Sequence, residues 1–416
     1  MKLLTFFGIA NYQPAIYAWQ GKQFNASYAP VASCHFLQPD ELIVFLTEEA
    51  ENNDHYQHML AALPDSTSTR SVRVPLGKDE DELWQIFQIV AETVSPGESV
   101  AFDISHGLRS FPLIGLLVAA YLRSGLNVQL EAVLYGAFDV RNSTPDGATP
   151  LFDLSPMLQL LAWSEAADRF NRTGDSRYLA SLLKEKKKEM AQQGGKGKAM
   201  FNILSPVGDL ISSLTVISNA AHLIRPIDTI EQAEKLDKRI IQARPIFQQY
   251  VKTAPFALLL DTIQSTYQPL AVALDDEENY SLQENLLRQR ELISWYVARE
   301  HWVQAVTVAR EWLISWSMYH LELYDLLDAN DRERVTNAIN TEAREFRQSK
   351  TDRRAFKPLF LGVLPDVTEV LDLWNLTAQV RNDIDHAGMR KDHNQPDSLI
   401  NLIRTIEERL QALTLE

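Results

Sequence analysis

The periodicity of this chain changes once, near residue 155, and that change limits the fold more than any other feature. Before it, apolar runs of strand length alternate with helical segments. KLLTFFGIA, ELIVFLT, RSVRVPL, ESVAFDI and NVQLEAVLYGAF read as strands. Between them lie a polar helix over about 48–63, the amphipathic KDEDELWQIFQIVAETV, and a helix over Phe111–Arg123. Leu83, Ile86, Phe87 and Val90 share one face of the second helix, and its acidic start suits the positive end of a helix dipole. Such alternation implies a mostly parallel sheet with helices on both faces. After Pro156 helical periodicity runs to the end, as in SRYLASLLKEKKKEMAQQ and the tryptophan-rich ELISWYVAREHWVQAVTVAREWLISW. The expected fold is an α/β Rossmann-like domain over 1–155 followed by an all-α region over 156–416. QGGKGK (193–198) and DDEEN (275–279) read as breaks, and RERVTNAINTEAREFRQSKTDRRAF as a solvated helix plus loop.

Charge and cysteine content narrow the class. A net charge of -15 argues against a broad nucleic-acid-coating surface and against DNA as a partner, but leaves room for a small anion site. The lone Cys34 excludes an intrachain disulfide framework and a Cys-rich zinc site, and fits a reducing, cytoplasmic setting. MKLLTFFGIANYQPA imitates a signal peptide, but its apolar run is short and carries one Lys, so a first core strand is the better reading. No uncharged apolar stretch of 18 residues exists, which predicts no membrane span.

The chemistry-bearing stretch is DISHGLRS, where an apolar strand turns into an apolar helix. Ligands of open parallel sheets bind at the carboxyl ends of the strands. Gly107 lets the backbone turn tightly, with Leu108 following it in the turn. Amides near Ser110 open a helix whose positive end attracts phosphate, Arg109 can hold an anion, and Ser105 and His106 can donate hydrogen bonds. On the residues alone, a plain turn capped by Asp103 and Ser110, with a satisfied surface His106, is an equal alternative. G-x-G-x-x-G is missing, so an ordinary NAD enzyme is disfavoured. Two further strand ends should emerge on the same edge. In FFGIANYQPAIY, Gly8 breaks the strand, Asn11 can read a base edge or bond phosphate, and Tyr12 can stack on a base. LYGAF ends a third strand with Tyr135, Gly136 and Ala137, and taken singly either stretch is read somewhat better as a plain strand-end turn.

These three stretches together carry a resemblance. DISHGLRSFP resembles the DxTHG signature of the CRISPR-associated CARF-domain family, with Ser105 in place of the usual threonine. GIANYQPAIY is similar to that family's first-strand motif and LYGAF to its later strand end, in the same order and strand context. The resemblance covers about residues 1–150 and implies a dimerising Rossmann-like domain. It further implies a cyclic oligoadenylate bound at these strand ends across the two-fold axis, with cyclic tetraadenylate favoured.

Such proteins often carry a C-terminal HEPN ribonuclease domain marked by R-x4-6-H. Here QVRNDIDHAGMRK holds Arg381 and His386, with Asn382 as the polar residue after the arginine and Asp385 as a candidate orienting group. Alone this motif is weak, and a polar helix end capped by Gly388 is the better explanation of it. With the resemblance it implies RNA transesterification without a metal or other cofactor. His386 would move protons and Arg381 would stabilise the phosphorane, giving a 2′,3′-cyclic phosphate and a 5′-hydroxyl. On one continuous helix the two side chains diverge by roughly 140°, so they converge only if the helix ends or bends, or if two chains contribute. The implied protein is a homodimer, or a higher assembly built on it, that cuts single-stranded RNA in type III CRISPR defence. The alternatives are a non-catalytic messenger-binding regulator and a CARF domain that also degrades its own messenger through Ser105 or His106.

Other features take plainer readings. His55 and His58 sit on a polar surface helix, and His301 and His320 in Trp-rich helices suit packing. Arg310–Glu311 reads equally as a surface pair or as a salt bridge supporting the site, and KEKKKE (184–189) as a solvated face.

Overall fold

The computed structural model describes residues 1–108, 110–193, 198–249, 254–271, 282–349, 358–391 and 393–415. Arg109 and the DDEEN stretch lie outside the described residues, as does most of QGGKGK. The chain divides into two compact units, Met1–Ala162 and Trp163–Glu416.

The first unit is built on eight strands: β1 Lys2–Phe7, β2 Ala15–Trp19, β3 Lys22–Ala26, β4 Glu41–Leu46, β5 Ser68–Arg73, β6 Ser99–Asp103, β7 Gln129–Gly136 and β8 Thr149–Asp153. They form one sheet in the order β3-β2-β8-β7-β6-β1-β4-β5. β7, β6, β1, β4 and β5 run parallel, with Lys2 of β1 opposite Glu41 on one side and Val100 on the other. β8 joins β7 antiparallel, and β2 and β3 form an antiparallel hairpin beyond it. The helices are α1 Ala29–Leu37, α2 Glu48–Glu51, α3 Asp54–Ala61, α4 Glu80–Glu92 and α5 Ser110–Gly125. The inner strands read as unbroken apolar runs because both their faces are covered. Leu4, Phe6 and Phe45 pack against Ile86 and Val90 of α4 and Phe111 and Val118 of α5. Leu3, Phe7 and Val44 point the other way, toward Val31 and Cys34 of α1 and Met59 of α3. The result is the expected Rossmann-like layering.

Three differences from the sequence reading have local causes. The β2–β3 hairpin was missed because its two-residue turn is Gln20–Gly21, both at positive φ. That geometry usually announces itself as Asn-Gly or Asp-Gly. The single helix expected over 48–63 is two, because Asn53 accepts a bond from the His55 amide and starts a new helix. The charged stretch from Arg332 is more than a solvated helix, since Val335, Ile339, Ala343 and Phe346 are buried.

Helix α6, Ser155–Thr173, contains the division between the units. Nine helices follow among the described residues. They are α7 Arg177–Gln193, α8 Lys198–His222, α9 Pro226–Gln249, α10 Ala254–Tyr267, α11 Leu282–Ala298, α12 Trp302–His320, α13 Ala329–Gln348, α14 Val367–Asp385 and α15 Pro396–Ala412. α12 is central: Trp312 and Trp316 are fully buried, and their indole N–H groups donate to the carbonyls of Leu286 and Thr414, both at 2.7 Å. His301 and His320 pack on tryptophans, on Trp295 and Trp316. Within α8, Asn202–His222 is long and apolar enough to cross a membrane, with a mean hydropathy of 1.2. Its Leu204, Val207, Leu210, Leu214 and Ile217 are buried and Asp209 pairs with Arg239, as in the core helix of a bundle.

Candidate functional site

The order of the parallel strands reverses direction between β1 and β6: after the β2–β3 hairpin at the far edge the chain crosses to β4 and β5 beside β1, then returns to β6 and winds out to β7 on the other side. Such switch points open a crevice at the carboxyl ends of the strands. Gly8 leaves β1 there and Gly107 follows β6. A Cβ on Gly8 would stand 3.2 Å from the Gly107 Cα, so two backbones meet with little room between them for a side chain. Gly107 itself has φ +106°, and a Cβ there would press on Phe111 and Phe6 at 3.0–3.1 Å. The β7 end joins from the other side, where the Gly136 amide donates to the Ser105 hydroxyl at 2.7 Å. The structure thus brings together the three stretches that the sequence singles out.

Within this crevice the residues divide into scaffold and surface. Asp103 is fully buried. Its Oδ1 accepts from the Ser105 amide at 2.9 Å and its Oδ2 from the Ser33 hydroxyl of α1. His106, read as a donor, acts instead as an acceptor: its Nε2 receives the Ala29 amide of α1 at 3.0 Å. Tyr12 donates to the Gly8 carbonyl at 2.6 Å, and burial pushes its phenol up to about 12. Its ring stacks on Phe7 at 5.1 Å and meets His106 edge-on at 4.8 Å, so one of the faces expected for a base is already covered. Ala137 is buried; Asn11, Gly107 and Leu108 are exposed, and Ser110 and Tyr135 are half-buried. Arg109 lies outside the described residues. Sequence reasoning missed the part played by α1, because the partners Ala29 and Ser33 lie some seventy residues from the motif and carry no local signal.

His106 gives this crevice a pH dependence. Burial pushes its pKa below the ordinary imidazole value, with the neighbouring Asp103 carboxylate pulling the other way. A depressed histidine pKa means the unfolded chain binds the proton better. The stability is therefore intact above about pH 6.5 and falls as pH drops through that value. Wild type should lose melting temperature between pH 7.5 and pH 5.5, and His106→Gln, which accepts a hydrogen bond but does not titrate, should lose less. Equal losses in the two proteins would assign the slope elsewhere.

The Arg–His stretch lies at the end of α14. The helix stops at Asp385, His386 is its cap residue, and Ala387 and Gly388 turn at positive φ. Arg381 pairs with Asp385 at 3.6 Å, while the His386 Nε2 faces a guanidinium nitrogen of Arg390. Arg381, Asn382 and Asp385 line a cavity of about 790 Å³, and His386, exposed at the helix end, is not among its lining residues. The structure thus does not bring Arg381 and His386 together within one chain. The helix does end between the two residues, at Asp385.

The cavity is rich in arginine. Besides Arg381 it is lined by Arg310, Arg347, Arg390 and Arg409. Three carboxylates line it with them, Asp372, Asp383 and Asp385, and two more outside the lining, Glu311 and Glu369, pair with Arg310 and Arg409. Asp372 pairs with Arg409 at 3.0 Å. Asp383 accepts the amide and side-chain N–H of Asn394, both at 2.7 Å, which hold its pKa below the usual carboxylate range. Arg310 pairs with Glu311 and lies over the Trp374 ring at 4.8 Å, so it is an inward member of this wall. Among the described residues no group of three His, Cys, Asp or Glu side chains is placed to hold a metal ion.

Residues 159–271 match the family model for the second domain of the CRISPR-associated protein MJ1674. Through this segment the chain is related to a CRISPR-associated protein. That protein, MJ1674 of Methanocaldococcus jannaschii, is 31% identical over 123 residues, which make up 29% of this chain. The chain covers 19% of that relative's own length. Among solved structures, Enterococcus italicus Csm6 bound to cyclic hexa-2′-fluoro-hexa-dAMP aligns with 100% of this chain and 95% of its own. Its TM-score is 0.40 at 9% identity.

Proposed function

We propose that this CRISPR-associated chain is a cyclic-oligoadenylate-activated endoribonuclease of type III antiviral defence. The first unit is the CARF messenger sensor and the end of α14 the HEPN cutting site. The observation that carries the reading is the α14 end: Arg381 stands on the wall of an arginine-lined cavity and His386 caps the same helix. Two non-overlapping stretches support it from outside. The strand-end motifs of 1–150 resemble CARF domains, and residues 159–271 match a CRISPR-associated protein.

The chemistry follows from the side chains. A neutral imidazole at His386 takes the 2′-hydroxyl proton as that oxygen attacks the adjacent phosphate. The guanidinium of Arg381 stabilises the doubly charged phosphorane, and a protonated imidazole returns a proton to the leaving 5′-oxygen. The bond to the 5′-oxygen breaks, leaving a 2′,3′-cyclic phosphate and a 5′-hydroxyl. Asn382 and Asp385, on the last turn of α14, orient Arg381. Because Arg381 faces the cavity and His386 does not, one site draws these groups from two protomers, and a lone monomer is inactive. At the sensor, a cyclic oligoadenylate ring sits over the Gly8–Gly107 gap of a CARF dimer and favours the cutting arrangement by binding it more tightly.

The test is cleavage of labelled single-stranded RNA in EDTA, with no messenger, with cyclic tetraadenylate and with cyclic hexaadenylate. The expected result is cleavage with the tetraadenylate ring alone. Ring binding without cleavage in any condition would instead make the chain a non-catalytic regulator. Linear products from a labelled ring would show that the CARF unit also degrades its messenger.

A further inference from the structure

The cavity of the helical unit extends past Arg381, and its far wall has a composition of its own. On α14, Asn375, Gln379 and Asn382 recur at i, i+4 and i+7, and all three line the cavity. Facing them, α13 contributes Asn340 and Arg347, two turns apart on one side of that helix. Asn340 uses its oxygen to accept from the Trp374 indole at 3.0 Å, which leaves its N–H groups to donate. Asn375 uses its N–H to donate to the Ala343 carbonyl at 2.9 Å, which leaves its oxygen to accept. Gln379 and Arg347 are exposed and have no partner among the described residues. The wall therefore offers carboxamide donors and acceptors beside an unengaged guanidinium. A volume of about 790 Å³ is ample for a small ligand.

Carboxamides match the edges of nucleobases, and a guanidinium matches a phosphate. We propose that this wall is a subsite for one nucleotide of single-stranded RNA beside the scissile one, with Arg347 on its phosphate and Asn375 and Gln379 reading its base edge. The proposal rests on the ribonuclease reading of the same cavity. It assigns substrate preference to residues outside the Arg381–His386 motif.

The experiment uses the full chain with cyclic tetraadenylate and dye-labelled, 2′-O-methyl oligomers of A, C, G or U, which bind but cannot be cut through a 2′-hydroxyl. Arg347→Ala should weaken all four by a similar factor, roughly tenfold, and flatten the salt dependence by about 0.7 in log–log slope. Gln379→Ala should level the differences among the four bases by roughly fivefold or more. Both side chains are exposed, so matching melting curves are expected and would exclude misfolding. With cleavable RNA, Arg347→Ala should raise KM and leave kcat within about twofold. Wild-type binding by both variants overturns the subsite, and if wild-type RNA cleavage persists, the ribonuclease reading survives alone. Weakened binding without cleavage by wild type keeps the subsite and removes the ribonuclease. Failure of wild type both to bind any oligomer and to cleave RNA overturns both.

Discussion

Messenger-stimulated RNA cleavage is expected to fall about 10²- to 10⁴-fold in His386→Ala, the range carried by a positioned proton-transfer group. The side chain is exposed at the cap of α14 and its recorded contact is with Arg390, so the substitution removes little packing. Stability should stay within about 0.5 kcal/mol of wild type. Ring binding, measured by calorimetry, should be unchanged, because the sensor residues lie in the other unit of the chain. Arg381→Ala should lose a comparable factor by a different route, through charge stabilisation rather than proton transfer. A His386→Ala protein that cuts RNA as wild type does would remove α14 from the chemistry.

Asp103→Ala is expected to produce the largest loss of stability among the sensor residues, about 2–4 kcal/mol. The carboxylate is fully buried and holds two donors, the Ser33 hydroxyl and the Ser105 amide. Alanine leaves both unpaired inside the unit, and each orphaned buried donor costs about 1–3 kcal/mol. The first unit should melt lower by several degrees, and ring binding should weaken as the 103–107 turn loosens. Asp103→Asn keeps an acceptor for the Ser105 amide and presents an N–H that a rotated Ser33 hydroxyl can accept, so it should cost about 1 kcal/mol. Differential scanning calorimetry of the two variants decides the matter. Equal and small shifts would mean that the turn is held by something other than this carboxylate.

Much of the first unit was legible because its parallel strands are apolar on both faces and its helices amphipathic. The central strands and α4 and α5 announce themselves in that way. What escaped were elements with weak local signals. The β2–β3 hairpin has an atypical turn sequence, α1 carries no clear amphipathic stripe since six of its residues are buried, and β8 is an added strand of mixed exposure. At the crevice the same rule holds. Gly8, Gly107 and Gly136 could be named from sequence because glycine marks close backbone approach. That Asp103 would be scaffold and His106 an acceptor depended on α1, a tertiary partner that no spacing reveals. In the helical unit the Arg381–His386 pattern was readable as a motif. The five-arginine cavity was not, since its cations come from α12, α13, α14, α15 and the loop after α14.

The central position of β1 also orders events in time. Lys2 must meet Glu41 on one side and Val100 on the other, so β1 waits for most of its unit before it is enclosed. The helical unit holds pairs of chain neighbours, α8 with α9 and α11 with α12, which need only short loops to close. Local pairings form fast and distant strand pairings slowly. Of the two units the sheet unit thus precedes the helical one but is the slower to fold, and its apolar β1 stays exposed while the later helices can assemble as they appear.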